Sequence, residues 1–226
     1  MSGLINKVSQ LETGKLEIGR VFGVILNDAA SMNELKEAME IAPYNAPPKA
    51  PVLYIKPKNT YASSQTQISL PSGVKSLGLG VTLGLRFNQK VTKIAAIGAC
   101  SVIKDIRLVA DLSILHSSYF RPAVLEKCFD NSLVIGDLPI SYSLIDIANV
   151  EVSILQNNKA LTPRRFDDLV RDIPTLIEEV TEFMSFNEND MLLIGVSYQM
   201  PEIYAGDEIV LREKTLGQLS FTVGEL

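Results

Sequence analysis

The longest regular pattern in the chain is a strict alternation over residues 77–88. Leu77, Leu79, Val81, Leu83, Leu85 and Phe87 fill one set of positions, and Gly78, Gly80, Thr82, Gly84, Arg86 and Asn88 fill the other. A period of two puts neighbouring side chains on opposite faces of a strand, so this segment predicts a long strand with one bulky face and one nearly bare face. A bare face suits close approach by a ligand or another backbone, and equally suits plain packing of sheet on sheet.

Shorter patterns surround it. The β-branched and aromatic run at residues 20–26 stops at Asn27-Asp28 and predicts a strand. Ser31 and Glu34 have capping-box spacing, and Leu35, Met39 and Ala42 form one apolar stripe, which predicts a short helix over 31–41. Pro43, Pro47, Pro48 and Pro51 forbid helix and lead an extended segment into a strand at Val52-Leu53-Tyr54-Ile55. Residues 91–102 are rich in small side chains and predict a helix. Residues 106–113 predict a strand that buries Asp111 among apolar neighbours.

Asn157-Asn158 tolerates positive φ and predicts a hairpin between residues 150–155 and Leu161. Phe166, Leu169, Val170 and Ile173, then Leu176, Ile177, Val180, Phe183 and Met184, have helical spacing. Pro174 divides them into two helices or starts the second. Strands at 191–194, 208–211 and 219–223, with turns at 205–207 and 216–218, complete the chain. Many short strands with few short helices predict a mainly β (α+β) fold, a sandwich or roll, and not a doubly wound sheet.

Composition narrows the class. The 226 residues are 46% hydrophobic and 21% charged, enough for one large core, and no repeat or linker divides them. We take residues 1–19 as an N-terminal extension and 20–226 as one domain. The net charge of −5, without any Lys/Arg-rich run, argues against nucleic acid or an anionic membrane as partner. Cys100 and Cys128 have no metal-site spacing and read as reduced thiols. No stretch approaches the ~20 apolar residues of a membrane span. The opening MSGLINKVSQLETG lacks the apolar centre of a signal peptide, so a cytoplasmic location is expected.

The chemistry on offer is limited. One histidine, His116, gives no basis for a Ser-His-Asp triad, and no phosphate-binding glycine motif is present. Lys56, Asp111, His116, Arg121 and Lys127 lie beside predicted strands. Taken singly, Lys56 reads as a solvated strand end, Asp111 as a capped or paired structural acid, and Arg121 and Lys127 as ordinary surface charges. Together they place two or three cations near one carboxylate, which suits a dicarboxylate ligand.

Residues 21–60, above all APPKAPVLYIKPKNT, resemble the opening of fumarylacetoacetate hydrolase superfamily domains. Ala110-Asp111-Leu112-Ser113 is similar to that family's N-D-V-S segment. Tyr119-Phe120-Arg121-Pro122-Ala123, Glu126-Lys127-Cys128, Ile135-Gly136-Asp137 and Tyr204-Ala205-Gly206-Asp207 continue the likeness in order. The PPK-IKP-NT and YFRPA…KC stretches resemble one branch in particular, the amino-terminal halves of enzymes that decarboxylate and isomerise homoprotocatechuate ring-cleavage products in 4-hydroxyphenylacetate breakdown.

The resemblance implies a mixed β-sandwich roll, and a Mg²⁺ or Mn²⁺ ion that chelates a 2-oxo dicarboxylate or tricarboxylate. Such an ion would neutralise charge developing on an enolate oxygen. Asp111 matches the acid of N-D-V-S and is the candidate metal ligand. The family's E-x-E ligands fall at Gly80 and Thr82, and its H-x-x-E dyad at Ser31 and Glu34, leaving Glu34 and His116 as candidate catalytic residues. Its G-T-P turn reads Gly195-Val196-Ser197. Lys56, Arg121 and Lys127 are the candidate substrate-binding residues. Three readings follow: a subunit paired with a metal-binding sister chain, as heterodimer or homodimer; a non-catalytic binding or scaffold protein; or an enzyme of another geometry using His116.

Overall fold

The protein is described from a computed structural model, which covers residues 17–42, 45–115 and 123–225. The strands in chain order begin with β1 (Val21–Ile25), β2 (Val52–Lys56), β3 (Tyr61–Ser63), β4 (Gln67–Ser69), β5 (Ser76–Phe87), β6 (Ile103–Ile114) and β7 (Leu133–Ile135). They continue with β8 (Glu151–Gln156), β9 (Lys159–Ala160), β10 (Arg164–Arg165), β11 (Met191–Val196), β12 (Glu202–Tyr204), β13 (Glu208–Glu213) and β14 (Gly217–Gly224). Among the described residues five short helices intervene: α1 (Ala29–Glu34), α2 (Lys36–Glu40), α3 (Ala96–Ala99), α4 (Ala123–Lys127) and α5 (Ile173–Thr181).

The strands form two mixed sheets. One runs β2-β1-β11-β5-β6-β7-β3 with β12 added beside β5, and the other runs β10-β8-β13-β14-β4 with β9 beside β8. The predicted mainly β architecture is therefore correct. The β5–β6 pair is its spine, twelve residues on each strand in antiparallel register with Gly80 opposite Asp111.

The bulky residues of β5, from Leu77 to Phe87, are all buried in the main core with Ile154, Ile209, Leu211, Leu219 and Phe221 of the second sheet. Each such side chain, fully buried, contributes about 1.5–3 kcal/mol relative to exposure. The opposite face of the first sheet holds a smaller cluster of Val21, Tyr54, Val109, Leu133, Ile135, Met191 and Leu193. Tyr54 of β2 donates a hydrogen bond to Asp111 of β6, although β1, β11 and β5 lie between those strands in the sheet. The sheet is thus rolled, with this second face inside.

The bare face of β5 points into the roll, where the protein's own side chains fill it. A Cβ on Gly84 would fall 2.5 Å from Met191 Sδ, and one on Gly78 2.8 Å from Leu115 Cδ2. Intramolecular packing accounts for the glycines.

Three helix expectations need correction. The 31–41 segment is two helices broken at Leu35, and the first is capped by Asp28, whose side chain accepts from the Ser31 backbone N–H at 2.9 Å. Ser31 is buried and its Oγ accepts from the Tyr198 N–H at 2.8 Å, while Ala42 is exposed. Over 91–102 only α3 and a 3₁₀ turn at Cys100–Val102 are helical, because Val91 exchanges backbone hydrogen bonds with Phe186 and Lys93 donates to Thr181. Residues 166–172 are irregular for the same reason. Asp168 O accepts from Ala29, Asn27 O accepts from Val170, and Asn27 Oδ1 accepts from the Arg171 N–H. Long-range partners take the groups a helix would use.

Other expectations agree with the structure. Asp172 caps α5 and Pro174 sits in its first turn. Asn157 and Asn158 both adopt positive φ in the β8–β9 hairpin. The last hairpin turns at 214–216 and enters β14 at Gly217 with φ +75°, two residues earlier than the spacing predicts. No helix among the described residues is long and apolar enough to cross a membrane.

Candidate functional site

Inside the roll, four side chains from three elements meet at Asp111. Period two along β2 sends Tyr54 and Lys56 to the same face, while β6 delivers Asp111 and the last turn of α4 delivers Lys127. Asp111 is fully buried. Lys127 Nζ donates to its Oδ2 at 2.9 Å, and the Tyr54 hydroxyl donates to the same oxygen. Lys56 Nζ lies 2.9 Å from Oδ1 as an ion pair. Lys56 Nζ also donates to the carbonyl oxygens of Lys127 and Ser132 and to Ser132 Oγ. Lys127 Nζ also sits over the Tyr54 ring, 4.6 Å from its centroid.

The electrostatics follow from burial and charge together. Burial pushes the Asp111 carboxyl upward, but Lys127, Lys56 and the Tyr54 hydrogen bond outweigh it and hold the group below its ordinary value. Burial pulls the Lys56 ammonium below its ordinary value, a pull that Asp111 opposes and Lys127 reinforces. The Tyr54 phenol is pushed well above 10.0, first by burial and then by the Asp111 charge beside it. Two lysine side chains thus face one buried carboxylate.

Of the sequence-derived candidates, Lys56, Asp111 and Lys127 come together here. Glu34 is exposed at the end of α1 and takes no part in the cluster's hydrogen bonds or ion pairs. His116 and Arg121 lie outside the described residues. Tyr54 and Ser132 complete the site and were not singled out. The signal for Tyr54 was its position two before Lys56 on one strand.

The donor set bears on a metal ion. Mg²⁺ and Mn²⁺ need several oxygen ligands, and Mg²⁺ demands near-octahedral geometry. Both Asp111 oxygens face ammonium groups at 2.9 Å. Among the described residues no three His, Cys, Asp or Glu side chains gather to hold an ion. A Cβ on Gly80 would lie 2.6 Å from the Asp111 carbonyl oxygen and 2.8 Å from Val196 Cγ1, with Met200 Sδ at 3.3 Å. Thr82 is fully buried, and its hydroxyl reaches only the Leu83 carbonyl at 3.5 Å. These residues do not fit a divalent ion.

A rolled mixed sheet backed by a second sheet, with a buried polar cluster inside the roll, defines an α+β roll. The chain belongs to the fumarylacetoacetate hydrolase family, since residues 20–224 match the family described as fumarylacetoacetate (FAA) hydrolase C-terminal. It is 31% identical over 191 residues to the 4-hydroxyphenylacetate degradation bifunctional isomerase/decarboxylase of Escherichia coli, covering 84% of this chain and 44% of that protein. The chain thus spans less than half the length of that relative. It is also 31% identical over 186 residues to a mitochondrial oxaloacetate tautomerase of Caenorhabditis elegans, covering 78% of this chain and 84% of the relative.

Solved structures share the fold. Fumarylpyruvate hydrolase from Pseudomonas aeruginosa, in complex with Mn²⁺ and pyruvate, superposes with a TM-score of 0.78 at 18% identity, covering 92% of this chain and 91% of that one. The 5-carboxymethyl-2-hydroxymuconate delta-isomerase from Mycobacterium smegmatis also gives 0.78, at 20% identity, covering 92% and 80%.

Proposed function

We propose that this chain is a subunit of a cytoplasmic 2-oxo acid decarboxylase or isomerase acting on homoprotocatechuate ring-cleavage products, and that a metal-binding sister chain of the same family completes it. The observation that carries this reading is the pairing of Asp111 with Lys56 and Lys127. Two ammonium groups occupy the directions in which a metal ligand would have to point, so the metal step of the family's chemistry belongs to another chain.

Two further features support the reading. The Escherichia coli relative, named as bifunctional, is more than twice as long as the matched region, which leaves room in that protein for a second unit. The α4 helix packs against β2 and leaves Val124 and Leu125 each 60% exposed, with Ile55 of β2 45% exposed, an apolar surface suited to a partner of the same fold.

In this reading the chain's own contribution is electrostatic and positional. The two lysines at Asp111 supply the positive partners for the carboxylates of a 2-oxo dicarboxylate or tricarboxylate, and the Tyr54 phenol stays protonated at neutral pH and holds Asp111 in place. The test is to assay decarboxylation of the 2-oxo acid with the purified chain, with a metal-binding family chain, and with the two mixed. Activity above the sum of the parts supports the proposal. Equal rates with and without this chain would overturn it.

The two lysines gathered at Asp111 also support a second reading, a non-catalytic protein that binds a dicarboxylate through Lys56, Arg121 and Lys127. Binding of a dicarboxylate by calorimetry, with no turnover in any mixture, would select it.

A further inference from the structure

A second polar feature lies on the other side of β5 from Asp111. Leu79 and Val81 of β5 and Ile154 of β8 floor a cavity of about 360 Å³ between the two sheets. Segment 162–164 and segment 197–201 wall it, with Thr162, Ser197 and Gln199 supplying polar groups, and Met200 and Pro201 apolar ones. Met200 borders both regions, since its Sδ also lies over Gly80.

Arg164 also lines this cavity, and it is poorly satisfied. Its side chain is 11% exposed, and its Nε is buried without a hydrogen-bond partner. Asp168 is the facing carboxylate, but its Oδ1 stands 3.7 Å from Arg164 Nη1, beyond hydrogen-bond reach, and that oxygen is itself without a partner. The remaining contact is the Phe166 ring, 4.7 Å from the guanidinium carbon. A buried donor left without an acceptor is unfavourable, because its bond to water has been given up and not replaced. A guanidinium presents a planar fork that matches a carboxylate with two parallel hydrogen bonds.

We infer that this cavity is a binding site for a small organic carboxylate, with the carboxylate held by Arg164 and the carbon body laid on Leu79, Val81, Ile154 and Met200. Thr162, Ser197 and Gln199 are placed to bond a hydroxyl or carbonyl on the same molecule. The apolar floor excludes inorganic anions as the preferred ligand, because they would leave it bare. The site is separate from the Asp111 cluster and does not depend on the subunit reading.

The test uses the full chain with benzoate as probe and benzyl alcohol as its uncharged counterpart, following by proton–nitrogen correlation spectroscopy the Arg164 Nε–Hε resonance of the wild type and the Ser197 and Gln199 backbone amides of every chain. The inference requires a saturable shift with benzoate and none with benzyl alcohol. Arg164→Met should weaken benzoate binding at least about tenfold, the loss of one strong charged contact. Arg164→Lys, which keeps the charge and loses the fork, should fall between, and guards against a variant that fails to fold. No saturable shift at millimolar benzoate, or equal affinity in the folded Arg164→Met and wild-type chains, would overturn the assignment.

Discussion

Lys127 Nζ stands 2.9 Å from Asp111 Oδ2, and the two side chains are 9% and 0% exposed. A buried carboxylate holds its charge only with partners, and here the partners are ammonium groups from β2 and α4. This one relationship ties the helix to the roll and sets the charge of the candidate site.

Asp111→Ala leaves two buried ammonium groups without their counter-charge, and breaking such a pair costs about 3–5 kcal/mol. Urea denaturation of the variant should report a loss in that range. The double variant Asp111→Ala with Lys127→Met should lose less than the two single variants summed, because the partners are coupled. Simple additivity would mean that the pair contributes nothing as a pair.

Asp111, Tyr54 and Lys56 each contribute to the dependence of stability on pH. The folded Asp111 lies below its ordinary 3.8, so its stabilisation is complete above that value and is lost as pH falls through the folded value. The folded Tyr54 lies well above 10.0, so the unfolded chain gives up its phenolic proton first, and stability declines as pH rises past 10.0. Lys56 works in the other sense. Its folded value lies below 10.5, so between the two its contribution grows with pH. Tyr54→Phe should flatten the alkaline decline without removing it, because burial also pushes Tyr61 up to about 12. Asp111→Asn should flatten the acid limb. Unfolding curves measured across pH check both, and unchanged slopes would contradict them.

Gly80→Ala should destabilise the chain by at least the ~1–3 kcal/mol typical of overpacking, because its Cβ would meet the Asp111 backbone oxygen at 2.6 Å and that atom cannot rotate away. Thermal unfolding of the variant provides the readout. A neutral substitution would show that β5 and β6 part easily at this point, and that a carboxylate could return there.

Asp28→Ala should cost about 1 kcal/mol through loss of the α1 cap. Ser31→Ala should act differently, by leaving the Tyr198 N–H without its acceptor and loosening the 197–201 segment. Hydrogen exchange at Tyr198 separates the two, since only the Ser31 variant should accelerate it.

The local pattern was sufficient where local groups decide the outcome. The β5 alternation defined a strand whose bulky face is buried throughout, and Asn157-Asn158 defined a hairpin, because positive φ at both positions needs no tertiary help. Pro174 opens α5 for the same reason. Lys56, Asp111 and Lys127 were legible as charged residues beside strands, and the family resemblance was legible in the motifs around them.

Only the tertiary structure decided the rest. Residues 166–172 have helical spacing, yet Asn27, Ala29 and Asp168 exchange backbone bonds that spacing cannot register. The bare face of β5 could not reveal what fills it, since Met191, Val196 and Met200 arrive from over a hundred residues away in the chain. Tyr54 reaches Asp111 only because the sheet rolls, and Arg164 Nε is left without a hydrogen-bond partner beside the gap between the two sheets. Periodicity fixes which face a side chain takes, while the packing of distant segments fixes what that face meets.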